Sequence, residues 1–448
     1  MKLSIHALLV PLGWALLFAV QAAIFAMFAP LSAAAQGEQP LDPAAIVEEV
    51  RAIVAQRYVL PQRRPVIEQA LAQALESGRY NVDDPAQLAP LIDADLQRAG
   101  QDKHLTLSFD PQGNAAMRSG EGGGFDMDAY ARQARAANHG VAQMRVLPGN
   151  VRYLDYRGFD WVGEESGQAI DAAMRFLSAG EAAVIDLRRN GGGSPEAVQR
   201  MVSYFLDPGQ PLVTFYMEGE AEPDVPHTLE DLSGQRMVGK PLYVLTSGAT
   251  GSAAEEFAGH VAGYDIGELV GGHTAGAGFR SALQPIGSRF VLSVSIGRAV
   301  LASTSRDWEG EGHAPTIPAP VDMALPAAHR AALLQLSQQA GGARGDALRA
   351  LADNVFATME PRQSGHPLAA YAGSFGDRTI AVEGGCLVYQ RAGRMDEPLV
   401  PLGEDRFAWL DDPSRVLSFE MSDGEAVALR LGTVVEPVRS RFEREQAR

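Results

Sequence analysis

The segment Ala182-Ala-Val-Ile-Asp-Leu187 is apolar at every position but one, and Leu242-Tyr-Val-Leu-Thr246 repeats the pattern. A strand with one wet face would alternate apolar and polar residues. These two do not, so both of their faces must be covered, as happens to the inner strands of a parallel sheet flanked by helices. Each runs into a turn of small residues and then a helical pattern, over Pro195 to Leu206 and Ser252 to Ala262. Val151 to Tyr156 and Phe290 to Ile296 read as further strands, and Glu165 to Leu177 as a helix. Strands alternating with helices over residues 140–330 predict an α/β core.

The flanks differ from that core. Asp42-Pro43 is a cap and first-turn pair, after which Ile46, Val47, Val50, Ile53 and Val54 recur at helical spacing. A second helix fits Pro65 to Ser77, and a third starts at Asp84-Pro85. Leu105, Leu107 and Phe109 then alternate as a strand does. Residues 111–128 contain Gly122-Gly-Gly124 and read as a loop, with a helix following from Met127. Residues 40–135 are thus an N-terminal helical domain. Residues 331–365 are an Ala/Leu-rich helical linker, and 366–446 a small all-β domain of short alternating strands.

Residues 1–35 read as a signal peptide. Lys2 precedes an apolar stretch from Ala7 to Ala29, and small residues lead to a cleavage site near Ala35. An uncleaved anchor is the competing reading. Cleavage predicts a periplasmic or secreted protein with no membrane association afterwards. The chain has 38 Lys+Arg against 55 Asp+Glu, a net charge of −17, which argues against nucleic acid as a partner. The single cysteine, Cys386, excludes an internal disulfide and a thiolate metal cage.

Three segments could carry chemistry. In Asp186-Leu-Arg-Arg-Asn-Gly-Gly-Gly-Ser-Pro195 a buried strand meets glycines and a helix start, which suits an anion or a developing oxyanion. The same pattern is also an ordinary strand-to-helix turn. In Thr246-Ser-Gly-Ala-Thr-Gly-Ser252-Ala-Ala-Glu-Glu256 a serine opens a helix after a buried strand, a place where a nucleophile is exposed beside backbone N–H groups. Ser252-x-x-Glu255 is equally a capping box. Asp307-Trp-Glu-Gly-Glu-Gly-His313 is a Gly-rich loop whose Glu309 could orient a histidine, or simply face solvent. Of the nine histidines, no two stand at a His-Glu-x-x-His spacing, so no metal site and no cofactor is expected.

Taken in this order, the segments resemble the tail-specific (C-terminal processing) serine peptidases and their relatives, the tricorn core and the interphotoreceptor retinoid-binding protein. Asp186-Leu-Arg-x-Asn-x-Gly-Gly and Ser252-Ala-Ala-Glu-Glu-Phe are the most specific parts, and Asp102-x-His104-Leu and Trp308-Glu-Gly-x-Gly support them. The resemblance implies a crotonase/ClpP-like α/β catalytic core. One branch of the family uses a lysine base, and Ala277 stands where that lysine would be. The stretch from Phe109 to Val151 is also too short for an inserted PDZ domain, which fits the other branch.

That branch implies Ser252 as nucleophile, His104 as base and Glu309 as its orienting carboxylate. The oxyanion hole falls on Gly192 or Gly193 together with Ala253. His313 is a rival base, because Gly312-His-Ala-Pro-Thr316 departs from the family pattern. Arg188, Arg189 and Arg280 are candidates for the cation that binds a substrate carboxylate, Arg188 and Arg280 foremost. A peptide or protein substrate is implied, and a homo-oligomer stays open. The alternative function is a non-catalytic binder of apolar ligands or peptides on the same scaffold.

Overall fold

A computed structural model of the chain describes residues 40–119 and 127–445, so the expected signal peptide and Gly122-Gly-Gly124 lie outside the described residues. Three helices open it: α1 (Pro43–Arg57), α2 (Arg64–Glu76) and α3 (Pro85–Gly100). The Asp84 side chain caps α3 by accepting from the Ala86 N–H, and the Pro85 ring presets its first turn. Strand β1 (Thr106–Phe109) follows, then α4 (Pro111–Ser119) and α5 (Met127–Ala136).

Helix α4 corrects the loop expected from residue 111. Asp110 starts it by accepting from the Gly113 N–H. Asn114, buried, donates to the carbonyls of Ile286 and Phe290. Tertiary hydrogen bonds therefore stabilise a helix that local composition does not favour.

The core comprises β2 (Val141–Leu147), β3 (Val151–Tyr156), α6 (Glu164–Ser178), β4 (Ala182–Asp186), α7 (Pro195–Val202), β5 (Val213–Met217), β6 (Leu242–Thr246), α8 (Ala253–Gly263), β7 (Glu268–Gly271), β8 (Phe279–Ile286), β9 (Phe290–Leu301) and β10 (Ile317–Pro318). A six-stranded sheet has the order β10-β7-β6-β4-β3-β2, parallel except for β2. Every residue of β4 and β6 is buried.

Their side chains divide with period two. Ala183, Ile185, Leu242 and Val244 join the core beneath α6, α7 and α8. Val184, Tyr243 and Leu245 join the core beneath α9 (Ala324–Ala340) and α10 (Gly342–Met359). The continuous apolar runs are thus two interleaved faces, each contributing about 1.5–3 kcal/mol per large side chain.

A second, antiparallel sheet is built on β9. Strand β8 lies along one edge, and β1 and β5 share the other. Thr106 pairs with Ser293 and Val213 with Leu301, so one long strand joins the helical front to the core. This pairing brings the residues just before β1 to the α8 side of the molecule. From Pro43 onward the chain forms one compact unit.

Eight antiparallel strands between Gly373 and Glu443 complete the fold, each paired with the next. The Glu445 N–H donates to the Ser374 carbonyl, which returns the end of this sheet to its beginning. The segment before it is bonded too: the N–H groups of Arg362 and Gly365 donate to Pro401 and Glu404.

Candidate active site

Ser252 stands at the N-terminus of α8 with φ +51° and ψ −121°, a conformation that a residue with a Cβ rarely adopts. Such strain persists only where the surroundings impose it, and it marks functional turns. Glu255 imposes much of it. This carboxylate is fully buried and accepts from the Ser252 N–H (3.0 Å), the Thr274 hydroxyl (2.6 Å), and the N–H groups of Gly276 (2.6 Å) and Ala277 (2.8 Å). The capping-box spacing announces the first of these bonds. The other three tie the Ser252 turn to the 274–278 loop and leave no local trace.

The glycine turn after β4 lies against Ser252. Asn190, buried, donates from its amide to the Tyr156 carbonyl and accepts from the Gly192 N–H at 2.9 Å, while its carbonyl accepts from Gly251. Gly192 has φ +118°, and a Cβ there would sit 2.7 Å from the Ser252 Cβ. Gly193 has φ +141°, and its Cβ would meet the Phe159 carbonyl oxygen at 2.3 Å. Only glycine satisfies both demands. Because the Gly192 N–H is spent on Asn190, it does not point to a ligand. Among the described residues, no hydrogen bond engages the N–H of Gly193 or of Ala253.

A cavity of about 250 Å³ collects these groups. His104, Gly193, Ser252, Ala253, Glu256, Ala277, Phe279, Arg280 and Trp308 are among its lining residues. His104 arrives from the turn between α3 and β1, whose shape is set by Asp102 accepting from the His104 N–H at 2.8 Å. Glu309 arrives on the loop after β9. Its Oε2 accepts from Gly278 (2.6 Å) and Phe279 (3.0 Å), which leaves Oε1 buried without a partner.

One ligand atom each from Asp102, His104 and Glu309 lies within 4.8 Å of the other two. Burial pushes the Glu309 carboxyl up to about 8, helped by the negative charge of Asp102. Burial pushes the His104 imidazole down, against the pull of Asp102 and Glu255. The family resemblance implies Glu309 beside His104 but gives Asp102 no role, since an Asp-x-His spacing does not say which way the carboxylate turns.

Two expectations need correction. The Arg188 guanidinium does not line the cavity: it forks onto the buried Asp186, with Nε to Oδ1 at 2.9 Å and Nη2 to Oδ2 at 2.6 Å. Arg188 sits in the turn closed by the Asn190 N–H donating to the Leu187 carbonyl, and its side chain turns back on the sheet. Arg280, by contrast, is half-buried in the cavity with its guanidinium 4.6 Å from the Phe215 ring, and it forms no ion pair among the described residues. His313 also stands apart. Its ring is beside Trp308 and against Gly259, seven positions after Ser252 or about 10 Å along a helix.

Burial pushes the His313 imidazole down to about 4. Its folded value lies below the ordinary 6.5, so the unfolded chain binds the extra proton. This contribution to stability is full above about pH 6.5 and is lost as the pH falls toward 4, by roughly 3 kcal/mol in all. Urea unfolding of the native protein and of His313→Gln, each at pH 7.5 and 4.5, is expected to show the smaller acid loss in the variant. Equal losses would refute this.

The sequence profile of peptidase family S41 matches residues 150–319, and that of the N-terminal domain of Peptidase S41 in eukaryotic IRBP matches residues 42–123. The chain belongs to peptidase family S41. This S41 member is accordingly a serine peptidase. Solved structures similar to it include a photosystem II D1 C-terminal processing protease, at 17% identity and TM-score 0.41, covering 63% of this chain and 94% of that one. Mature CPAF matches at 12% identity and TM-score 0.47, covering 67% of this chain and 99% of the other. A putative S41 protease from Bacteroides fragilis matches at 24% identity and TM-score 0.37, with 42% and 53% covered.

Proposed function

We propose that this S41 peptidase is exported and cleaves peptide bonds through an acyl-enzyme on Ser252, with His104 as general base and Glu309 orienting it. The observation that carries this reading is the shared cavity: the strained Ser252, His104 and the unengaged N–H groups of Gly193 and Ala253 all line it. No lysine lines that cavity, and Ala277 does. In the proposed cycle Ser252 Oγ attacks the substrate carbonyl carbon as its proton passes to His104 Nε2. The carbonyl oxygen becomes an oxyanion held by Gly193 and Ala253, donors worth about 3–4 kcal/mol each in comparable sites, with the positive end of α8 behind them. His104 returns the proton to the leaving amine, and a water then repeats the sequence to free the acid. Among the described residues no helix is long and apolar enough to cross a membrane.

A fluorophosphonate probe tests the nucleophile. Native protein should be labelled and Ser252→Ala should not; folded native protein that takes no label would favour the non-catalytic binder instead. Arg280 is the cation proposed to meet a carboxylate of the substrate. Arg280→Gln should raise KM for acidic or free-carboxylate peptides roughly 10- to 100-fold, the worth of one charge-assisted hydrogen bond, while kcat stays within a few-fold. An unchanged KM across such peptides would remove Arg280 from recognition.

A further inference from the structure

Around His104 lie three buried polar atoms without a close hydrogen bond, Asp102 Oδ2, His104 Nδ1 and Glu309 Oε1, and the Tyr58 hydroxyl approaches Asp102. Buried polar atoms are seldom left orphaned, and a group of them asks for a ligand. Asp102 is only 2% exposed, and its second oxygen cannot turn to water. Its other oxygen is held by the His104 N–H, just as Glu309 Oε2 is held by Gly278 and Phe279. Glu309 therefore has one oxygen pinned and one free, and Asp102 has one pinned by the backbone and one approached by the Tyr58 hydroxyl. The remaining oxygens share their surroundings with an imidazole nitrogen, a donor set that a cation can engage.

We propose that Asp102, His104 and Glu309 bind a divalent transition-metal cation of the zinc class, and that the bound ion switches the peptidase off. One imidazole nitrogen and two carboxylate oxygens form a borderline donor set that suits zinc better than calcium or magnesium, which prefer oxygen alone. Donors around zinc at about 2.0–2.2 Å stand roughly 3.4 Å apart. The three ligand atoms already lie within 4.8 Å of one another, so small rotations of the carboxylate oxygens and the ring complete the set. The fourth position is left for water or the neighbouring Tyr58 oxygen.

The switch rests on the Ser252–His104 reading given above. A metal on Nδ1 leaves the ring neutral with its proton on Nε2. That nitrogen is then a donor, and it cannot accept the Ser252 proton. Chelation of the ion restores the free base.

Zinc titration by calorimetry on the Ser252→Ala protein tests binding without needing turnover. One tight site is expected, and Asp102→Asn or Glu309→Gln added to Ser252→Ala should each weaken it at least about tenfold. Cobalt(II) in the same protein should give the visible absorption of a low-coordinate site, lost in both double variants. Circular dichroism melts identify any variant that fails to fold, and the other variant then decides. Weak binding at remaining histidines such as His366, which pairs with Asp405, persists in every variant and is subtracted. Tight binding unchanged in both double variants, or no tight site at all, would overturn the metal site. Fluorophosphonate labelling of native protein should be suppressed by zinc and recovered with a chelator. Labelling that persists at saturating zinc would sink the switch, whereas no labelling without zinc would count against the serine reading alone.

Discussion

Replacing Ser252 with alanine should lower kcat by roughly 10⁴–10⁶-fold and leave KM within a few-fold, since the hydroxyl acts in the transition state and adds little to binding. The same loss is expected for His104→Ala, because a neutral serine hydroxyl without a base is a poor nucleophile. The double variant should be no slower than either single one, as residues that act as one unit are not additive. A residual rate above the uncatalysed reaction should survive, from Gly193 and Ala253. Steady-state kinetics on a reporter peptide, with melting curves as a fold check, measure all of this. If Ser252→Ala kept more than about a hundredth of native kcat, another residue would be the nucleophile. Additive losses in the double variant would separate His104 from the chemistry.

Glu255→Gln should be the most damaging near-isosteric change in the molecule. The native carboxylate takes one hydroxyl and three backbone N–H donors, and all of these are held in a dry setting by α8 and the 274–278 loop. An amide offers one acceptor end and one donor end, so at least one backbone N–H would face another donor. The cost of such unmatched buried groups is on the order of 3–5 kcal/mol. Denaturant unfolding should show a lower midpoint with an unchanged slope. Activity should fall as well, since Ser252 and Ala277 share this anchor. A midpoint within error of native would mean that the four donors find other acceptors.

The α/β core was legible because its signal is hydrophobic. Ala182 to Leu187 and Leu242 to Thr246 are too apolar for a wet face, and they are buried throughout as β4 and β6. The small-residue turns were legible for a steric reason: Gly192 and Gly193 hold backbone angles and approaches that no side chain tolerates. Helix α4 was not legible, because Asn114 and its carbonyl acceptors on β8 and β9 lie 172 and 176 residues apart in sequence. Arg188 and Arg280 looked alike as cations. Their fates diverge because one meets Asp186 two positions away and the other projects from β8 into a cavity.

The residue types of the site were written in the sequence: a serine at a helix start, an Asp-x-His pair, a Trp-Glu-Gly loop and two consecutive glycines. Local chemistry determines these, through chain geometry and capping, and neighbours in sequence suffice to express them. Their assembly was decided only by the tertiary structure. The pairing of β1 with β9 carries His104 to the edge of the Ser252 cavity from 148 positions upstream. The burial that raises Glu309, holds Asp102 beside it and spends Gly192 on Asn190 likewise belongs to the folded state. Desolvation and hydrogen-bond competition depend on which surfaces meet, and those meetings between distant segments are fixed by packing.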